Sequence, residues 1–153
     1  MSFTKYNKIF GFICGLIAFL VYSLTVEPTA SYWDCAEYIS TSAKLQIGHP
    51  PGAPLFQMLG AIFSILAFDL EQIAFTVNMM SVTSSALTIL FLFWSISYLI
   101  KQQGELDEVP ISINEAFKIF GSSALGCLTF TFTDSFWFNA VEAEVYAMAT
   151  LIL

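Results

Sequence analysis

Asp34 and Glu37 are the first residues in the chain whose types and spacing suit chemistry. At i and i+3 they share one face of any helix that runs through them. Paired carboxylates so placed can act as a general base with an acidic partner, or bind a cation together. The structural alternative is a helix cap at Asp34 and a solvated surface charge at Glu37. The turn His49-Pro50-Pro51-Gly52-Ala53-Pro54 follows. His49 is the single histidine, so no cluster of histidines can hold a metal here. Its ring is suited to hydrogen-bonding a phosphate, to tuning a nearby carboxylate, or to a purely structural role. A third group spans Phe136 to Tyr146. On one continuous helix starting at Asp134, a suitable N-cap type, Ser135, Asn139, Glu142 and Tyr146 share a face, and Glu144 points with Trp137 and Met148. A carboxylate among apolar and aromatic side chains is costly, which makes it a functional candidate. An aromatic belt with acidic residues in the headgroup layer is the alternative. No phosphate-cradling glycine loop, Ser/His/Asp set or dinucleotide fingerprint is present.

The elements that must position these groups are membrane helices. The chain is 57% hydrophobic and 11% charged, with a mean hydropathy of +0.74. A soluble domain carries about 25% charged residues. Apolar residues cluster into spans at about 9–26, 73–100 and 116–133, each near the ~20 helical residues that cross a bilayer. Asn78, Thr83, Ser84 and Ser85 in the second span read as helix-packing residues. The basic residues are five lysines against twelve acids, a net charge of −7, so nucleic acid is not an expected partner. Cys14, Cys35 and Cys127 lack metal-ligand spacing and read as small buried hydrophobes.

Lys5 and Lys8 ahead of the first span predict a cytoplasmic N-terminus and an uncleaved first helix. The loop that follows then lies outside. Residues 32–47 plot as an amphipathic helix, with Tyr32, Ala36, Ile39, Ala43 and Ile47 on the apolar side and Asp34, Glu37 and Thr41 opposite. Ser31 and Asp34 resemble a capping box at its start, and Gly48 before two prolines marks its stop. The segment 55–68 is too short to span, about 21 Å as a helix. If the loop and the 134–146 segment serve one outer site, an even number of crossings separates them, which makes 55–68 a re-entrant or juxtamembrane helix. An acidic loop at 101–115, with its core from Gly104 to Pro110, precedes the third span. The apolar run at Ala147–Leu153 predicts a fragment of a longer protein.

Three ordered motifs carry a family resemblance: Tyr32-Trp33-Asp34-Cys35-Ala36-Glu37-Tyr38-Ile39, then Gly48-His49-Pro50-Pro51-Gly52-Ala53-Pro54-Leu55-Phe56, then Phe136-Trp137 with Ala143-Glu144-Val145-Tyr146. Together they resemble bacterial multi-spanning membrane proteins related to protein O-mannosyltransferases. The resemblance implies an all-α, polytopic fold of the C-type glycosyltransferases, in a bacterial inner membrane, with an acidic residue in a long first outer loop. It implies transfer of a mannose-like sugar from a polyprenyl-phosphate carrier to a protein or other hydroxyl on the outer side. Asp34 is then the base, Glu37 its acidic neighbour, and His49 the shaper of the lipid-phosphate entrance. Glu144 becomes a second-wall residue, with Tyr146 and Lys44 as further substrate contacts. The motifs name no metal ligand set, and the metal requirement stays open. A carrier phosphate wants cations, and Lys44 is the sole lysine in the outer region, so the fragment by itself is expected to be inactive. A transporter or channel subunit and a membrane assembly protein are the rival classes.

Overall fold

The computed structural model describes residues 2–104 and 111–153, and every regular element among them is helical. The helices are α1 (Phe3–Thr25), α2 (Cys35–Lys44), α3 (Pro54–Ser64), α4 (Ile73–Gln103), α5 (Ile113–Thr131), α6 (Asp134–Ala140) and α7 (Val145–Ile152). Phe3–Thr25 and Leu70–Gln103 are long and apolar enough to cross a membrane. Only 28% of the most apolar α1 window is buried, and Phe12, Leu16, Leu20 and Leu24 stand exposed along it at a spacing of four. A buried core helix of a soluble protein does not present such a row; a helix facing lipid does. The two helices together suggest a membrane protein.

Several expected boundaries move for local reasons. α2 is shorter than 32–47. It ends at Lys44 because Leu45 turns left-handed (φ 48°) and donates its N–H to Ser42 and Thr41 carbonyls, so Gly48 is not the stop. Its buried face is Cys35, Ile39, Thr41 and Ser42, whereas Tyr32 and Ile47 are exposed. Thr41 therefore lies on the packed side and not the polar one, because α2 docks on α3. α3 covers only Pro54–Ser64, about 16 Å of helix. Asp69 then caps a single 3-10 turn at Leu70–Gln72 by accepting the Gln72 N–H at 3.1 Å. α5 starts at Ile113, ahead of residue 116, through a capping box that the sequence reading missed. Ser112 accepts from the Glu115 N–H at 3.3 Å, and the Glu115 carboxylate accepts from the Ser112 N–H at 2.7 Å. Lys101 to Gln103 belong to α4, while most of the acidic loop, residues 105–110, lies outside the described residues.

The chain divides into two compact units, and α1 and α4 contribute to both. In the unit made of Met1–Ala18 and Ala86–Thr133, Asn7 is buried. Its Oδ1 accepts from Ser97 at 2.7 Å and its carbonyl accepts from the Trp94 indole at 3.1 Å. The rings of Phe3, Phe10 and Phe93 gather around Phe120. Cys14 and Cys127 are free and buried here, as Cys35 is in the other unit. In the unit made of Phe19–Ser85 and Asp134–Leu153, the core is Cys35, Ile39, Phe56, Val77, Met80, Ala143 and Met148. Tyr22 packs edge-on against Phe136 and Trp137, and the Trp137 indole donates to Thr25 Oγ1 at 3.1 Å. All the chemical candidates fall in this second unit.

Candidate functional site

The sequence places a sharp turn ahead of α2. Trp33 adopts a left-handed backbone (φ 61°), a conformation that a bulky residue holds only under external constraint. Asp34 follows as the α2 N-cap residue but makes no side-chain cap hydrogen bond. The expected capping box fails because Ser31 donates its hydroxyl to Glu142 instead. With its side chain released from capping, Asp34 is more than half exposed.

Glu37 lies across Gly48, where an added Cβ would meet its Oε1 at 2.9 Å. That approach lets Oε1 accept the His49 N–H at 2.6 Å while Oε2 contacts His49 Nδ1 at 2.8 Å. The ring's other nitrogen, Nε2, sits 3.8 Å from Asp34 Oδ2. Hydrogen bonds from the backbone and the ring of His49 hold Glu37 below its usual pKa. The hydrogen bond to Glu37, then the charges of Glu37 and Asp34, raise His49 above its own. Asp34, Glu37 and His49 thus place their ligand atoms within 4.8 Å of one another. Glu37 and His49 are joined by hydrogen bonds, while Asp34 stands beside the ring at a charge-pair distance.

The third group departs most from expectation. No continuous helix runs from residue 134 to 146. α6 stops at Ala140 and α7 restarts at Val145, with Glu144 extended (φ −122°, ψ 150°) ahead of it. The break follows from the demands of two partners: Val141 gives its carbonyl to the Glu27 N–H at 2.9 Å, and Glu142 takes the Ser31 hydroxyl. Glu142 and Glu144 turn inward and are buried, at 4% and 7% exposure. Burial raises the Glu142 pKa against the Ser31 hydrogen bond. Burial raises that of Glu144 too, with the charges of Glu142 and Asp34 adding to it. Tyr38, below them, is pushed up by burial and by Glu144.

These carboxylates line a cleft of about 340 Å³ with Trp33, Asp34, Phe138, Asn139 and Tyr146. A neighbouring cleft of about 480 Å³ shares Phe138 and Glu142 and extends along Glu27, Ser31 and Tyr32. Of the residues singled out in the sequence, Asp34, Glu37 and His49 come together. Asp34 also lines one cleft together with Glu144 and Tyr146. Lys44 does neither; it is exposed in the last turn of α2. Glu142 was grouped on the Asn139 face of one helix, whereas the break makes it a buried wall beside Glu144. Asn78 is also more than a packing residue. It donates to the Glu27 and Thr29 carbonyls at 2.6 and 2.8 Å. Period and composition carry no signal for such a bond, since its acceptors are backbone atoms distant in sequence.

The shifts set a pH dependence of stability. Glu37, with a lowered folded pKa, contributes stability above about pH 4.3 that is lost as pH falls through its folded value. His49, with a raised pKa, contributes below about pH 6.5, and that part is lost as pH rises through its folded value. Raised pKa values at Glu142 and Glu144 also favour the folded state on the acid side, and that gain is lost as pH rises through their folded values. The thermal midpoint of the detergent-purified protein is therefore expected to be highest near about pH 4.3 and to fall as pH rises toward 8. Glu144→Gln should flatten that fall. An equal slope in the variant would show that Glu144 is not the buried, acid-favouring group described.

Residues 34–153 match the sequence model of the family described as the N-terminal domain of protein O-mannosyl-transferase TMEM260. The chain belongs to this family. Among its relatives, the Dictyostelium discoideum protein named protein O-mannosyl-transferase tmem260 is 26% identical over 135 residues, 88% of this chain and 14% of the relative. The Mus musculus protein O-mannosyl-transferase TMEM260 is 26% identical over 136 residues, 87% of this chain and 16% of the relative. The chain thus spans less than a fifth of the length of either relative. No solved structure matches it. The matched region of this TMEM260-type domain opens at Asp34 and contains Glu37, His49, Glu142 and Glu144. The resemblance read from the three motifs holds for a family related to O-mannosyltransferases.

Proposed function

We propose that this chain is the N-terminal part of a polytopic membrane glycosyltransferase of the C type. It moves a mannose-like sugar from a polyprenyl-phosphate carrier to a hydroxyl of a protein acceptor on the non-cytosolic side. The observation that supports this best is the aromatic-rimmed cleft lined by exposed Asp34 and buried Glu144, in a family whose relatives bear protein O-mannosyl-transferase names. In the proposed step Asp34 takes the proton of the acceptor hydroxyl as its oxygen bonds to the anomeric carbon. The bond from that carbon to the carrier phosphate oxygen breaks, and its electron pair leaves with the lipid phosphate. Glu37 orients His49, whose ring shapes the lipid-phosphate entrance, and Lys44 lies farther out along α2. The other cations that a phosphate needs belong to the rest of the longer protein. In this reading α1, α4 and α5 cross the bilayer, the N-terminus is cytoplasmic, and α3 dips in without crossing.

The test uses the full-length protein, polyprenyl-phosphate mannose and a serine- and threonine-containing peptide. A hexose added to the peptide, and lost when its hydroxyls are blocked, is the expected result. Absence of transfer with every polyprenyl-phosphate sugar would sink the reading. A cysteine placed at Asp69 should react with an impermeant reagent from outside; reaction only from the cytosol would show that α3 crosses.

A further inference from the structure

Asn78 sits at 0% exposure within α4, where an amide is costly unless its polar atoms are all engaged. Two other polar residues of this helix solve that locally. Thr83 and Ser84 donate to the carbonyls of Met79 and Met80 in their own helix, at 2.8 and 2.9 Å. Asn78 reaches elsewhere. Its amide nitrogen donates to Glu27 O at 2.6 Å and Thr29 O at 2.8 Å, and its Oδ1 takes the Cys35 thiol at 3.8 Å. Both donors and the acceptor are thus spent on the two ends of one segment, Glu27 to Cys35. Inside that segment lie the left-handed Trp33 and Asp34. A strained backbone persists only where its surroundings over-determine it, and the Asn78 amide ties down both flanks.

We infer that Asn78 is the positioning residue that holds the Asp34 segment in its working geometry. The inference rests on the proposed role of Asp34, and its reach is specific: Asn78 touches no cleft and no reacting atom. A displacement of about 1 Å at a reacting group can cost about 10²-fold in rate. Loss of the pin should therefore appear in kcat, with binding of donor and acceptor nearly unchanged.

The experiment compares wild type, Asn78→Asp, Asn78→Leu and Asn78→Gln in the full-length protein. Asp is isosteric but offers carboxylate oxygens where two carbonyls need donors; Gln keeps both donors on a longer stem. Asp and Leu variants are expected to lose about 10²-fold in kcat with KM within about twofold, and Gln to recover part of it. Cys35 supplies a readout independent of activity, because it is buried beneath the same segment. Its alkylation by N-ethylmaleimide, read on the peptide that carries it, should accelerate at least about tenfold in Asn78→Leu. Cys14 and Cys127, in the other unit, should stay protected. Unchanged kcat with Cys35 protected would overturn the inference, as would exposure of all three cysteines together, which marks general unfolding. Should wild type transfer no sugar, the proposed function fails, while Cys35 labelling in Asn78→Leu still decides whether the segment is pinned.

Discussion

Asp34→Asn in the full-length protein is expected to lower kcat for sugar transfer by about 10² to 10⁴-fold, with little change in KM or thermal midpoint. Asparagine has the shape of aspartate but cannot accept the acceptor's proton. The Asp34 charge reaches the fold through space, at His49 and Glu144. The side chain makes no cap bond, is more than half exposed, and meets His49 Nε2 only at 3.8 Å. An exposed pair at that distance contributes little to stability. Glu37→Gln provides the contrast. It keeps an acceptor for the His49 N–H but weakens the hold on the ring, so its effect should be smaller and should shift the pH profile through His49. A normal kcat in Asp34→Asn would remove the proposed base. A fall in thermal midpoint alongside the loss of rate would reassign Asp34 to the fold.

Much of this arrangement was legible in the residues, and the parts that were not share a cause. The helical character of the long apolar runs, the shortness of the 55–68 segment and the burial of three free cysteines follow from hydropathy and size, which act locally. Asp34, Glu37 and His49 were each singled out, yet their convergence depends on Gly48 letting a carboxylate lie over the backbone. The helix read from residue 134 fails for a related reason. Periodicity favours continuity, but the Glu27 N–H and the Ser31 hydroxyl compete for Val141 and Glu142 and win. The buried face of α2 differs from the apolar side of the 32–47 plot. Docking on α3 instead buries Thr41 and Ser42, with the Gln57 amide donating to Thr41 Oγ1 at 3.2 Å. In each case a partner distant in sequence decided the outcome, and single-chain patterns do not record such partners.

The α2–α3 contact that carries Glu37 can be tested at its tightest point. Gly60 of α3 faces Ser42 of α2. A Cβ there would lie 2.5 Å from Ser42 Oγ, 2.8 Å from Ser42 Cβ and 3.6 Å from Val77 Cγ1. Gly→Ala within a helix ordinarily stabilises, by about 1 kcal/mol. Here the sign should reverse. Rotating the Ser42 hydroxyl away leaves the Cβ clash in place, so α2 must move off α3 and take Cys35 and Ile39 from Phe56 and Val77, the centre of this core. Overpacking of this kind costs about 1–3 kcal/mol, and Gly60→Ala is expected to destabilise by that amount and to lower transfer, since α2 carries Glu37 and begins at Asp34. Ser42→Ala alone should be neutral or mildly stabilising, because the buried Ser42 hydroxyl finds no partner among the described residues. The decisive combination is Gly60→Ala with Ser42→Gly. Removing the opposing Cβ relieves the clash, so the pair should cost no more than Ser42→Gly alone, a coupling of about 1–3 kcal/mol in a double-mutant cycle. Additive losses would mean that the two helices do not meet at these residues, and the platform that holds Glu37 against His49 would need another support.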